Sequence, residues 1–375
     1  MARYLVFSIL ALTPIVHSYK IDTKSCDQSP IDFINNSLAD AFEMGRKARE
    51  ELEKPLDPGF DRLIKLLFAQ SVNGERGIWN TLFDVEYMAA DKKNDASFDT
   101  DENEVLIHCD AARFEMRADG NIYDKGKPHG TFRRTESLIA PPKDRNVLVE
   151  DPRREQEPLV LLGNGKVEDC EKAKAQAFVY TILGHPADMT ICPWFLTEEM
   201  KSGPWRKFED KLYQFYAKLM PTSVKSFLGK PQWMTEFDEV VRGMDLTLLH
   251  ELTHTAKIKA EDVCFNRAPE FAANSYRQEE IDGKRAYGWT LATRLALKDS
   301  YDALNNADSF AMFAAAVRLL RMSTPVYVSD SGRVSKKNPL ARRDLFDQLG
   351  GSNDTAAIET FVTKVRERSV METAV

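Results

Sequence analysis

The segment Asp245-Leu-Thr-Leu-Leu-His250-Glu251-Leu252-Thr253-His254 concentrates the residue types best suited to chemistry. Residues four apart on a helix lie one above the other, so His250 and His254 present two imidazoles to one point. Two imidazoles at that spacing hold a divalent metal, and Glu251, beside the first, reaches a water activated by that metal as general base. Leu248, Leu249 and Leu252 give the same helix an apolar back that anchors it in a core. Zinc suits two imidazoles plus a third protein ligand with one position left open, one ion per chain. The chemistry that follows is hydrolytic attack on a peptide or ester carbonyl.

A third ligand must come from elsewhere, and Glu261, Asp262, Glu270, Glu279, Glu280 and Asp282 all qualify on chemistry alone. A third histidine in H-E-x-x-H-x-x-G-x-x-H is excluded, because Thr-Ala-Lys-Ile-Lys-Ala follows His254 and no later histidine occurs. His108, His129 and His185 are scattered and read as ordinary polar or loop residues.

The elements that must position these groups are mostly helical. Ile31, Ile34, Leu38, Ala41, Phe42 and Ala48 fall on one stripe, and Pro55 to Gly59 ends that helix. A second apolar segment runs from Leu63 to Met88, with core packing as its role. Asp91 to Glu104 is polar and reads as a solvated loop, lacking the central Gly of a calcium loop. Val105 to Cys109, Leu159 to Leu162, Ala177 to Leu183 and Met189 to Cys192 read as strands. Residues 120–157 mix charges and prolines without periodicity, which predicts a surface insertion. Thr197 to Phe227 reads as an interrupted helix, and the chain is helical again from Val240 through Arg321. Helices, a few strands, then helices predict an α+β class with a small sheet.

The chain has 375 residues, 43% hydrophobic and 29% charged, which excludes disorder for its bulk. Its charge, 51 − 58 = −7, excludes nucleic acid as a natural partner. Arg3 followed by apolar residues to Val16 and a small residue at Ser18 predicts a signal peptide over 1–18. That run is too short for a membrane anchor, so a secreted protein is expected. Secretion permits disulfides among the five cysteines.

Several segments in order resemble the fungal deuterolysin and lysine-specific metallo-endopeptidase family, the aspzincins. They are Cys26 with the helix Leu38 to Glu51, Ile107-His108-Cys109, Ala177-Phe-Val-Tyr180, Ile191-Cys192-Pro193, the His250–His254 motif, Ala286-Tyr287-Gly288, and Asn305-Asn306-Ala307-Asp308-Ser309. The resemblance implies a helix-rich zincin-like domain over 19–322, with 323–375 as a partly helical tail. It implies zinc-dependent cleavage of protein or peptide substrates, with Glu251 as acid and base. The family's third ligand is an Asp in GTxDxxYG; here Tyr287-Gly288 matches, but the Asp position holds Lys284. Asp282, two residues upstream beside Gly283, is the expected ligand, with Glu280 and Glu279 behind it.

The resemblance makes Tyr287 an oxyanion partner, against the alternative of a buried aromatic capping a turn. It makes Asp308 an acid that accepts a substrate lysine, although the companion acid is replaced by Ala311; an N-cap of a helix 309–320 is an equal alternative. It pairs Cys26 with Cys109 and Cys170 with Cys192, leaving Cys264 over. Lys284 at the ligand position also supports a different class of function, a secreted non-catalytic binding protein on the same fold.

Overall fold

The computed structural model describes residues 18–55, 57–69, 74–88, 90–91, 104–116, 122–124, 147–149, 159–162, 166–180, 186–201, 235–255, 260, 262–263 and 285–336. In chain order these form β1 (Ser18–Ile21), α1 (Gln28–Leu52), α2 (Pro58–Phe68), α3 (Gly74–Tyr87), β2 (Ala90–Asp91) and β3 (Val105–His108). There follow β4 (Phe114–Met116), β5 (Ile122–Asp124), β6 (Val147–Val149), β7 (Leu159–Leu162), α4 (Lys166–Glu171), β8 (Ala177–Tyr180) and β9 (Ala187–Ile191). The second half holds α5 (Pro193–Lys201), α6 (Glu236–Val241), α7 (Met244–Thr253), α8 (Gly288–Lys298), α9 (Ser300–Asn305), α10 (Ala307–Leu320), β10 (Tyr327–Val328) and β11 (Val334–Ser335). The class is α+β, mostly helical with small sheets.

The helices start and bury as their sequences dictate. Asp57 accepts the Phe60 N–H at 2.9 Å and Pro58 opens the first turn, which sets the start of α2. The α1 stripe is buried at Ile34, Leu38, Ala41, Phe42 and Ala48, against α3, α7 and α10. α10 is buried on nearly every side and packs on α1, α2, α7 and α8. Its alanines let neighbouring helices approach closely, while Phe310 and Phe313 fill the gap toward Phe60 and Phe68, with ring centroids 5.2–5.6 Å apart. A helix with such surroundings cannot tilt without moving all its neighbours.

The five-stranded sheet has the order β2-β1-β3-β9-β8. Its first four strands are parallel, and β8 runs antiparallel to β9, with Val179 opposite Met189. Both faces of β3 and β9 are covered: Val105, Ile107, Ala187, Met189 and Ile191 make an apolar face, and His108, Asp188 and Thr190 a buried polar one. Cys26–Cys109 ties the segment before α1 to the end of β3, and Cys170–Cys192 ties α4 to the end of β9. Both pairs are those the resemblance implied; Cys264 lies outside the described residues.

Three expectations need correction. Glu104, expected in a solvated loop, is fully buried, and its carbonyl accepts the Ala187 N–H at 2.8 Å between adjacent strands. Within 120–157, β5 and β6 are strands; with β4 and β7 they make an antiparallel sheet of order β4-β5-β7-β6. Strands of three residues are too short for alternation to register in the sequence. The body also extends past residue 322: β10 and β11 form a hairpin whose Val326 and Val328 enter the core. At the turn, Gly332 has φ +72° and its carbonyl accepts the Phe237 N–H, and a Cβ there would meet Thr235 at 2.5 Å. The calls on residues 1–17 and 337–375 lie outside the described residues. Among those described, no helix is long and apolar enough to cross a membrane.

Candidate metal centre

α7 carries the histidines where its spacing demanded. Leu248, Leu249 and Leu252 are fully buried, which fixes the roll of the helix and turns His250 and His254 to one side. Arg318 on α10 reaches Asp245 at 3.5 Å and Asp40 at 3.7 Å, so a buried guanidinium holds the start of α7 to α1. Gln176, just before the edge strand β8, accepts from Thr247 at 2.8 Å and seats α7 along that edge.

The two imidazoles meet through Nε2, 3.1 Å apart. Asp262 Oδ1 lies 3.2 Å from each of these nitrogens. His254 Nδ1 faces the Ala260 carbonyl at 2.7 Å, and a carbonyl only accepts, so the proton sits on Nδ1 and Nε2 bears a lone pair. His250 Nδ1 faces Asp308 Oδ1 at 3.1 Å, which imposes the same tautomer on the neutral ring. With both rings neutral, three lone-pair atoms converge on one point; in the metal-free protein a proton on His250 Nε2 bridges them, and a metal cation would take its place. A tetrahedral ion with bonds of about 2.0–2.1 Å needs ligand edges of about 3.3 Å, close to this triangle. His250, His254 and Asp262 are the possible metal-binding group among the described residues.

The segment around Asn306-Ala307-Asp308 holds the parts together. Asn306 is fully buried; its Oδ1 accepts the Val263 N–H at 3.3 Å, and its Nδ2 donates to the Ala286 carbonyl at 3.3 Å. Ala286 N–H donates in turn to the Val263 carbonyl at 2.8 Å. The chain thus departs at Val263, beside Asp262, and returns beside Tyr287. Asp308 spends one oxygen on His250 and takes the Gly288 N–H on the other. Expected to accept substrate or to cap a helix, Asp308 instead sits in the first turn of α10, whose N-cap is Asn306, with both oxygens engaged inside the site. The Tyr287-Gly288 pair has its own cause. Gly288 has φ +74°, and a Cβ there would meet Asp238 Oδ1 at 3.2 Å, the oxygen that accepts the Trp289 N–H.

Electrostatics follow from this crowding. Burial opposes charge on His250, but Asp262 and Asp308 at its two nitrogens outweigh it and push its pKa up to about 10 in the metal-free protein. Burial and the Asp262 carboxylate raise Tyr287 well above the ordinary phenol, and Arg285 counters them in part. Tyr287 packs edge-on to His250, with ring centroids 5.7 Å apart. Glu251 is buried, and its Oε2 has no hydrogen-bond partner among the described residues. An unsatisfied buried carboxylate oxygen costs about 1–3 kcal/mol, a cost retained where a water or substrate must be met.

The structure brings His250, Glu251, His254, Tyr287 and Asp308 together as the sequence suggested. The carboxylate it places at the imidazoles is Asp262, one of the six candidates; Asp282, Glu279, Glu280, Glu270, Glu261 and Lys284 lie outside the described residues, as do His129 and His185. Counting back from Tyr287-Gly288 could not reach Asp262, because residues 264–284 intervene between two hydrogen-bonded positions. The usable signal was proximity: Asp262 is the first aspartate after His254. Arg285 and Asn306 carried no signal, since their roles need the return of the chain. No protein-family model, curated protein or solved structure matches the chain.

Proposed function

We propose that the chain is a secreted zinc endopeptidase with a zincin-like fold, resembling the aspzincins. The observation that carries this is the convergence of His250 Nε2, His254 Nε2 and Asp262 Oδ1 beside buried Glu251, whose Oε2 has no hydrogen-bond partner among the described residues. Two imidazoles and one carboxylate oxygen are the donor set of a catalytic zinc with an open position. When bound, the cation supplies Lewis acidity, lowering the pKa of water and polarising a carbonyl. Glu251 takes a proton from the attacking water and returns it to the leaving amine nitrogen. Tyr287 donates its phenol proton as a hydrogen bond to the carbonyl oxygen as negative charge develops there.

β8 ends the sheet beside α7, and an extended peptide fits against such an edge by adding a strand. Two disulfides and the apolar leader support secretion. A preference for lysine is not part of the proposal, because Asp308 has both oxygens engaged and Ala311 replaces its companion acid. The non-catalytic alternative was motivated by a missing third ligand, and Asp262 weighs against it.

The test is Glu251→Gln in the mature chain. Zinc stays near one equivalent, and cleavage of an unfolded protein substrate falls by about 10²–10⁴-fold. Unchanged cleavage overturns the mechanism, and wild-type protein without tight zinc overturns the assignment itself.

A further inference from the structure

We propose that Arg285 is a positioning residue that locks Asp262 and Tyr287 into one unit. A single nitrogen, Nη1, lies 3.2 Å from Asp262 Oδ2 and 3.1 Å from the Tyr287 hydroxyl. Asp262 Oδ1 is the oxygen that faces both imidazoles, so the guanidinium holds the opposite oxygen and selects which one is offered to a metal. A carboxylate ligand fixed at its outer oxygen stays monodentate, and such outer partners set metal affinity. The same nitrogen donates to the Tyr287 oxygen, so the phenol proton points away from the guanidinium, toward the Asp262 carboxylate that the hydroxyl also hydrogen-bonds. A phenol that accepts from a cation while donating is also a stronger donor.

The placement follows from the chain path. Arg285 is the first described residue after 264–284, directly before Ala286, which is hydrogen-bonded to Val263 and to Asn306. The guanidinium therefore spans the two ends of that excursion at the side-chain level, as Asn306 spans them at the backbone. Its side chain is one-third exposed and that of Asp262 only 12%, so the ion pair lies at the rim of the centre with its acid inside.

The Tyr287 half of this inference rests on the zinc peptidase proposal; the Asp262 half does not. The experiment is a competition titration of the full mature chain with zinc and a chromophoric chelator, alongside steady-state kinetics at saturating zinc. Arg285→Ala should weaken zinc by about 10- to 100-fold. Arg285→Lys should recover affinity to within about threefold of wild type, because one ammonium can meet both oxygens. In kinetics, Arg285→Ala should lower kcat with little change in KM, and adding it to Tyr287→Phe should cost less than about threefold more, since the two act through one hydroxyl. Unchanged zinc affinity in a folded Arg285→Ala protein overturns the Asp262 half. Fully multiplicative losses in the double variant overturn the Tyr287 half. Should Arg285→Ala fail to fold, Arg285→Gln and Arg285→Lys carry the same comparison. Wild type that binds zinc but cleaves nothing defeats the peptidase proposal, and the titration still decides the Asp262 half.

Discussion

His108 and His250 are both largely buried, and each has a carboxylate oxygen 3.1 Å from Nδ1, that of Asp22 in one case and Asp308 in the other. They part at Nε2. His108 Nε2 meets Asp188 Oδ1 at 3.2 Å, and Arg113 donates to the same oxygen at 3.1 Å and to Thr190 at 3.2 Å. Each His108 nitrogen faces one carboxylate, Arg113 shares Asp188 with it, and the network ties Asp22, after β1, across β3 to Asp188 on β9. At His250 the second nitrogen meets a lone pair of His254 and an oxygen of Asp262. Two imidazole nitrogens and one carboxylate oxygen converge on one point. A carboxylate beside an imidazole thus says little about function; what distinguishes the possible metal-binding group is that three ligand-type atoms converge on one point.

The sharpest way to break this comparison is to remove one histidine from each region. His254→Ala should abolish stoichiometric zinc and all cleavage, as measured by metal analysis after dialysis. His108→Ala should keep one zinc per chain and instead lower unfolding free energy by about 1–3 kcal/mol, because it removes the bridge between Asp22 and the buried Asp188. Loss of zinc from a folded His108→Ala protein would erase the distinction.

A smaller effect is expected from the carboxylates. Asp308→Asn should weaken zinc by about 10- to 100-fold, since the amide no longer fixes the His250 tautomer as strongly. Asp22→Asn, altering the equivalent Nδ1 partner of His108, should leave zinc affinity unchanged in the same titration.

The mildest contrast lies in pH. In metal-free protein the His250 pKa is raised from 6.5 to about 10, so its stabilising contribution is full below 6.5 and is lost as pH rises through 10. Asp22 is held well below its ordinary 3.8, chiefly by its hydrogen bond with His108, so its contribution is present above 3.8 and is lost as pH falls. Urea unfolding across both ranges should show two limbs. Asp308→Asn should shrink only the alkaline limb and His108→Ala only the acid one.

Legibility differed between parts of the molecule for physical reasons. The α1 stripe, the apolar start of β3 and the back of α7 were readable because burial imposes a local pattern. β5 and β6 were not, being too short to show one. The hairpin at 327–335 was hidden because its reason to fold is tertiary: Val326 and Val328 seat in a core built by other elements, and Trp289 donates to the carbonyls of Ser329 and Asp330. Within the site, Tyr287 and Asp308 were legible as residues of interest. The contacts of Asp308 were not, because His250 and Gly288 are far from it in sequence.

By itself the sequence determined that His250 and His254 face one point with Glu251 beside the first. Helix geometry places residues four apart together, and the leucines between them decide which way they point. It also limited the third ligand to six carboxylates, all chemically equal. Choosing among them required the chain to return from 264–284 and be pinned by Asn306 at Val263 and Ala286, which sets Asp262, Arg285 and Tyr287 side by side. Spacing along the chain carries no information across such a closure, because the hydrogen bonds at its base hold whatever the length between.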